Sequence, residues 1–162
     1  MTAYDPAAWT DFANTVAGGA AALAGLLFVG LSLNLSDVLK YPGVPARAAV
    51  TLGLTVGILL TAILVATPGQ DRRALAAEIG VLGLAIAAGV IVALQQQRSG
   101  KHPIRAVTST LLLGVPALLL MGAAVSLWLQ RGGGLYWVTA AVTTGFVSAT
   151  ANAWVLLVEI RR

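Results

Sequence analysis

The sequence contains no cysteine, and its single histidine is His102. The lack of cysteine excludes disulfides, thiolate metal sites and thiol nucleophiles. One histidine and six acidic residues leave little material for a metal site with several ligands, so we expect no metal and no cofactor. Catalytic motifs are lacking too: the run Gly132-Gly133-Gly134 is not followed by Lys-Ser/Thr, and no Gly-x-Ser-x-Gly elbow occurs. We therefore predict that the protein is not an enzyme.

Charged residues are also scarce, at 10% of the 162 residues, whereas a soluble domain carries about a quarter. Hydrophobic residues make up 58%, and the mean hydropathy is +0.87. The charge-free runs are 12–36, 48–70, 79–97, 106–130 and 132–158, with lengths of 25, 23, 19, 25 and 27 residues. Each run reaches the roughly 18–20 residues that a spanning helix needs. The sequence predicts an all-α polytopic integral membrane protein whose main partner is the lipid bilayer.

Breaker residues divide the chain into five transmembrane helices within a single domain, 1–162. The predicted helices cover about 6–39, 47–66, 74–94, 106–129 and 135–159. The first starts at Asp5-Pro6, a cap followed by a favoured first helical residue. The breaks are Tyr41-Pro42-Gly43, Thr67-Pro68-Gly69 and the glycine run after Arg131. The first helix would be about 50 Å long, more than the hydrocarbon core of about 30 Å, so we expect it to tilt, bend or project.

Basic residues predict the orientation of these helices. The side with the N-terminal segment holds three: Arg72, Arg73 and Arg131. The other side holds seven: Lys40, Arg47, Arg98, Lys101, Arg105, Arg161 and Arg162. By the positive-inside rule the N-terminus is outside and the C-terminus is in the cytoplasm. The net charge of +4 does not indicate a nucleic-acid partner, because the basic residues are scattered over loops.

The first predicted helix carries a stripe of small and polar residues. Asp11, Gly18, Gly25 and Ser32 recur every seven residues, and Asn14 falls on the same side. Close helix packing in lipid relies on small residues, so one interpretation is a packing seam. The other is the lining of a narrow path for water or ions, with Asp11, Asn14 and Ser32 supplying the polar groups.

The fifth predicted helix has polar residues on two nearly opposite sides. One stripe consists of Thr139, Thr143 and Thr150, and the other of Thr144, Ser148 and Asn152. Two polar faces indicate that this helix contacts protein or water on both sides, as in an oligomer with one face inside the protomer and one between protomers. Alternatively, the hydroxyl groups bond back to carbonyls of their own helix.

Glu78 is the one ionisable residue within a predicted span, and such residues are candidates for function. Asp11 lies at a similar outer depth, so the two carboxylates would line one outer vestibule. The alternative is a structural ion pair of Glu78 with Arg72, Arg73 or Arg131.

Two further residues interrupt or mark their helices. Pro116 cannot donate a backbone hydrogen bond and frees the carbonyl of Leu112, which predicts a kink. Such kinks serve as hinges in channels and transporters, but they are also common in membrane helices. Asn34, near the inner end of the first helix, is predicted to form an interhelical hydrogen bond.

The inner loop 95–105 is polar and basic. Its cations Arg98, Lys101 and Arg105 would attract anionic lipid headgroups at about 1 kcal/mol each. His102 stands alone there, so we interpret it as a solvated loop histidine and not as a catalyst.

One resemblance rests on Trp9, Phe12, the runs 17–29 (AGGAAALAGLLFV) and 31–35 (LSLNL), Pro68-Gly69-Gln70 and Glu78. In these residues, over roughly the first half, the chain resembles a group of small actinobacterial membrane proteins of no established function. Members are often labelled automatically as modulators of a membrane-anchored AAA protease. The resemblance implies a multi-pass protein of the bacterial plasma (inner) membrane and no catalytic residue.

Two hypotheses of function follow. The first is a homo-oligomer whose polar faces, on the first or fifth helix, line a channel or transporter-like pathway for ions or small solutes. Glu78 and Asp11 would then set the charge at its outer mouth. The second is a non-conducting scaffold or regulator that binds another membrane protein, such as a protease, through its small-residue seams. The deciding feature is whether the polar stripes face water or a partner helix.

Overall fold

The computed structural model describes residues 2–40, 44–97 and 103–159, with side-chain surroundings given for 2–40, 44–95 and 112–156. These ranges contain helices and turns, and no strand. Two short 3-10 helices, Thr2–Tyr4 and Pro6–Trp9, come first. The α-helices are α1 (Thr10–Leu33), α2 (Leu35–Lys40), α3 (Val44–Ala66), α4 (Arg72–Gln97), α5 (Pro103–Leu129) and α6 (Tyr136–Glu159).

Four helical segments are long and apolar enough to cross a membrane, as in a multi-pass membrane protein. They are Pro6–Leu33, Val44–Ala66, Arg72–Gln95 and Leu112–Leu129. The fifth predicted crossing, α6, has 24 residues, or about 36 Å of helix. It is not among the four in the described part of the chain, and it is the helix with the two polar stripes. The fifth crossing and the orientation of the helices therefore stay predictions.

The prediction of one continuous first helix was wrong, because the helix ends at Leu33 and α2 begins at Leu35. Asn34, with φ −114° and ψ 20°, is the break. Its side-chain Nδ2 donates to the carbonyl of Gly30 at 2.8 Å. An amide that bonds its own backbone competes with the helical pattern, which explains the break. The predicted interhelical bond of Asn34 is thus replaced by a bond inside its own helix.

The shortened α1 exceeds the hydrocarbon core by much less than the predicted helix would. Its 24 residues span about 36 Å, close to the hydrocarbon core of about 30 Å. The predicted start is confirmed in one detail, since the Asp5 carboxylate accepts from the Ala7 amide at 3.1 Å and Pro6 follows it. The residues after this cap form a 3-10 turn before α1 begins.

The other helices begin and end near the predicted breaks. Gly69, with φ +69°, lies in the turn between α3 and α4, and Gly132–Gly134 all have positive φ between α5 and α6. Helices α3, α4 and α5 start two to three residues earlier than predicted, at Val44, Arg72 and Pro103. Charged or proline residues in a first turn do not prevent a helix from starting there.

Helix α3 is the centre of the bundle and packs against α1, α4 and α6, while α5 packs against α4 and α6. Glycines allow the closest approaches. A Cβ at Gly57 would lie 2.6 Å from Ile86 Cδ1, and one at Gly145 would lie 2.8 Å from Ile58 Cδ1. Since lipid tails are as apolar as the side chains, this close van der Waals packing drives association of the helices.

Helix α5 continues through Pro116, which is fully buried. Proline leaves the carbonyl of Leu112 without its helical donor. The Ser148 hydroxyl of α6 donates to this oxygen at 3.2 Å. A neighbouring helix therefore supplies the hydrogen bond that the proline removes, as membrane helices require.

Ser148→Ala should therefore destabilise the bundle by about 0.6 kcal/mol, the average measured for an interhelical hydrogen bond in a membrane protein, and by no more than about 1.7 kcal/mol. Thr144→Val is the matched control on the same helix. Its hydroxyl donates only to its own helix, to Ala140 at 2.7 Å and to Ala141, so its loss should cost much less. Reversible unfolding in mixed micelles measures both. Equal losses for the two variants would contradict the assigned role of Ser148.

Candidate functional site

The stripe predicted on the first helix lies on the outside of the bundle. Asp11, Asn14, Gly18, Gly25 and Ser32 are all exposed, and we call these five residues the outward face of α1. The buried residues of α1 lie on its other side. The structure therefore keeps the stripe on one face, but that face packs against no other helix in the described part of the chain.

The outward face is without partners in the described part of the chain. The side chains of Asp11, Asn14 and Ser32 make no hydrogen bond or ion pair there. A Cβ at Gly18 or Gly25 would meet no atom within 4 Å. Polar side chains in a membrane normally face protein or water. Asn14 and Ser32 lie within a segment that is apolar enough to span a membrane, yet their side chains form no hydrogen bond with the described residues of the protomer.

The two polar stripes predicted on α6 have different surroundings. Thr143 and Thr150 are exposed, and the enclosed hydroxyl of Thr139 has no hydrogen-bond partner among the described residues. Ser148 and Asn152, on the other stripe, bond to other helices. One stripe thus stabilises the protomer, and the two threonines of the other face away from it.

Asn152 joins α6 to the N-terminal part of α3. It is 4% exposed, its Oδ1 accepts from Arg47 Nε at 2.6 Å, and its Nδ2 donates to the Thr51 hydroxyl. The Thr51 hydroxyl donates in turn to the Arg47 carbonyl at 2.8 Å. Sequence reasoning missed this network, because Arg47 and Asn152 are 105 residues apart and only the fold brings them together. Its closed bonding makes it a structural element.

Glu78 is exposed, and its Oε2 accepts from the side chain of Gln70. Within the described residues it forms no ion pair with Arg72, Arg73 or Arg131. The alternative of a structural ion pair is therefore wrong for a single chain. Gln70 comes from the turn before α4, so the contact is local.

Asp11 and Glu78 lie on helices that are not closely packed. Helix α1 packs on α3 and more lightly on α6, whereas α4 packs on α3 and α5. Direct contact of these two helices therefore does not bring the two carboxylates together, and the outer vestibule stays a prediction.

Arg72 has a role that sequence reasoning did not assign. Its Nη1 donates to the carbonyl of Leu127 and, at 3.3 Å, to that of Trp128. The last carbonyls of a helix lack partners within the helix, and a cation there also favours the helix dipole. Arg72 therefore fastens the start of α4 to the end of α5.

Several predicted features lie outside the described residues. Arg98, Lys101 and His102 belong to this part of the inner loop, and the side chain of Arg105 is likewise not described. The predicted contact of residues 98–105 with anionic lipid therefore stays a prediction. In the described ranges no group of three His, Asp or Glu side chains is placed to hold a metal ion.

An apolar groove runs along α3 and α4 on the surface of the bundle. Its volume is about 470 Å³. The residues that line it are Ala46, Ala49, Val50, Gly53, Leu54, Val56, Gly57, Leu60, Leu82, Ala85, Ile86, Gly89, Val92 and Ala93. None of these side chains is polar, so the groove offers no group for orienting a polar solute.

Comparison with known proteins gives no relative: no family model, no curated protein and no solved structure matches the chain. The candidate site is therefore defined by geometry alone, and its main part is the outward face of α1.

Glu78→Gln should change the free energy of unfolding by no more than about 0.5 kcal/mol, because it alters an exposed group without an ion pair. Arg72→Met should cost about 1.5–3 kcal/mol, the range for hydrogen bonds made by a charged group. Unfolding of both variants in detergent tests this. A large loss for Glu78→Gln, or none for Arg72→Met, would contradict the contacts described above.

Proposed function

We propose that this chain is a homo-oligomeric protein of the bacterial plasma membrane whose copies form a pathway for ions or small solutes. The copies meet through the outward face of α1, and the polar side chains of that face line the pathway. In this proposal the residues before α1 are outside the cell and the C-terminus is in the cytoplasm, because the predicted cytoplasmic side holds more basic residues.

One observation carries the proposal: the outward face of α1 holds Asp11, Asn14 and Ser32, and none of these side chains has a partner among the described residues of its own chain. An amide or hydroxyl that faces hydrocarbon without a hydrogen bond costs free energy. A second copy or a file of water would satisfy these groups. All copies insert in the same orientation, so a parallel contact places each polar group at the same depth as its counterpart.

The interior of a single protomer does not favour a pathway through it. The buried hydroxyls of Thr51, Thr55 and Thr61 each donate to the carbonyl four residues earlier, and Asn152 is bonded on both sides of its amide. Apolar side chains fill the core around them. We therefore place the pathway between copies, where the exposed polar groups are.

A second candidate function has its own supporting observation. Between Asn14 and Ser32 the outward face offers only Gly18 and Gly25 at its repeat positions, with no polar group at mid-membrane depth. Two glycines seven residues apart suit close helix packing more than a water-filled lining. A non-conducting scaffold or a regulator of another membrane protein, such as a protease, fits this central part.

Gly25→Leu should dissociate the oligomer without unfolding the protomer. The glycine lies on the outward face with no atom of its own chain within 4 Å of a Cβ, so the larger side chain would block only another copy. Gly53→Leu is the matched control, since Gly53 is equally open but lies in the groove between α3 and α4. Mass measurement in detergent should show a smaller particle for Gly25→Leu alone.

A strict monomer of the unchanged protein would overturn the proposal of a homo-oligomer. A monomer that copurifies with a different membrane protein, and loses it on Gly25→Leu, would favour the scaffold or regulator instead.

Asp11→Asn should reduce the preference for cations several-fold in liposome flux measurements while the oligomer stays intact, because an acidic ring at a mouth concentrates cations. Asp71→Asn is the matched control at the same end of the bundle. Asp71 caps α4 through the amides of Arg73 and Ala74, at 2.9 and 3.2 Å, and asparagine caps equally well. An intact oligomer without any flux would reject the pathway and leave the scaffold.

A further inference from the structure

The residues before α1 form a strap over the outer end of α6, and we call Thr2–Trp9 the N-terminal strap. The carbonyl of Ala3 accepts from the Leu135 amide at 2.7 Å. The hydroxyl of Tyr4 accepts from the Gly133 amide at 3.1 Å. Both amides lie just before Tyr136, the first residue of α6. Backbone amides at the start of a helix have no partner within the helix. The strap thus supplies acceptors that the start of α6 lacks.

A side chain of α5 completes the same arrangement. The Ser126 hydroxyl accepts from the Gly134 amide at 2.8 Å and donates to the carbonyl of Arg131. The three successive amides of residues 133–135 therefore bond to oxygens from the strap and from α5. The strap, the end of α5 and the start of α6 form one hydrogen-bonded unit.

Gly134 allows the strap to lie this close. It has φ +53°, and a Cβ added to it would overlap the carbonyl oxygen of Ala3 and lie 2.9 Å from the Ala3 carbonyl carbon. The obstacle is backbone and not a flexible side chain, so any larger residue at 134 must displace the strap. Gly132, in the same loop with φ +84°, has only the Ser126 hydroxyl at 3.6 Å.

Aromatic contacts link the strap to both helices. Trp9 packs edge-on against Tyr136 of α6, with ring centroids 5.0 Å apart, and against Phe12 of α1 at 5.6 Å. The indole Nε1 of Trp9 donates to the carbonyl of Thr2 at 2.8 Å, which closes the strap on itself. Movement of the strap would therefore also remove the contact between Trp9 and α6.

Apart from the strap, α1 packs mainly against α3, through a narrow inward face. Only Ala13, Val16, Ala20 and Leu27 of its 24 residues are buried. In a bilayer, separating such a face from α3 exposes it to lipid tails, which are as apolar as the face itself. The hydrophobic effect therefore does not hold α1 in place; its position depends on van der Waals packing against α3 and on the hydrogen bonds of the strap.

We propose that the N-terminal strap is a latch for α1: docked, it holds the outer end of α1 on the bundle, and released, it lets that end separate from α3 and α6. The break at Asn34, where α1 ends and α2 begins, is the hinge. The docked strap is held on α6 by two hydrogen bonds and by the ring contact of Trp9 with Tyr136, so the latch opens at a smaller cost than the core. This inference does not depend on the pathway or on the oligomer.

The experiment uses the absence of cysteine, since one introduced thiol reports one position. Ala13→Cys places it on the buried side of α1, at a residue 1% exposed, and Ala123→Cys places it in the core at 0% exposed. Each is introduced into the unchanged chain, into Gly132→Ala and into Gly134→Ala. The rate of modification by N-ethylmaleimide, a small reagent that enters the membrane interface, is then measured in detergent and in liposomes.

The latch requires that Gly134→Ala raise the rate at Ala13→Cys by tenfold or more, while Gly132→Ala, also at a positive φ, changes it little. Ala123→Cys must stay slow in every background. Equal rates at Ala13→Cys in the two glycine variants overturn the proposal. A parallel rise at Ala123→Cys also overturns it, because the whole bundle would then loosen and not α1 alone.

Tyr4→Phe gives a second test in case Gly134→Ala does not fold. It removes only the acceptor for the Gly133 amide and keeps the ring, so it should raise the rate at Ala13→Cys by a smaller factor than tenfold. An unchanged rate in Tyr4→Phe would show that the bond from Gly133 contributes nothing to the latch and would contradict it.

Discussion

The rest of the structure depends on one constraint: hydrocarbon offers no partner for a hydrogen-bonding group, so each polar atom at that depth must be satisfied by protein. The interior follows this rule closely. Threonine hydroxyls bond to their own helix, Asn152 bonds to Arg47 and Thr51, and Ser148 bonds to the carbonyl that Pro116 leaves free. These bonds decide which sides of α3, α5 and α6 face each other, because apolar packing alone fits several rotations of a helix.

Helix α1 departs from this rule, as does the Thr139 hydroxyl of α6, which is enclosed without a hydrogen-bond partner among the described residues. Helix α1 is the least buried of the four candidate spans, with 17% of its most apolar window inside the bundle compared with 50% for α3. Its polar groups lie on the exposed side. On a soluble protein such a surface would simply face water, but within a membrane its polar groups need a hydrogen-bonding partner. Function is therefore to be sought on this surface and not in the well-satisfied core.

Sequence reasoning succeeded where the signal is local and failed where it depends on distant residues. The turns at Gly69 and at Gly132–Gly134 were predictable, because glycine adopts positive φ at no steric cost. The freed carbonyl of Leu112 was predictable from Pro116, but its donor Ser148 was not, since the two lie on different helices. The heptad repeat of the first helix predicted that these residues share one face. It did not predict whether that face points into the bundle or away from it, because small residues allow close packing in either place. Asn34 was misassigned because a side chain that bonds its own helix looks, in sequence, like one that bonds a neighbour.

Two ends of the bundle are fastened in different ways, and this difference separates α1 from the other helices. At one end the Arg47–Asn152 bond joins α3 to α6, and at the other Arg72 joins α4 to α5. Neither bond involves α1, whose polar attachment is the strap that precedes it. Helix α1 has a narrow inward face, and one of its ends is joined to α6 through the strap. In lipid its position depends on those few bonds and on van der Waals packing against α3. The helix with the unpartnered outward face is also the least buried of the four candidate spans. Both properties fit the proposed contacts of α1 with other copies.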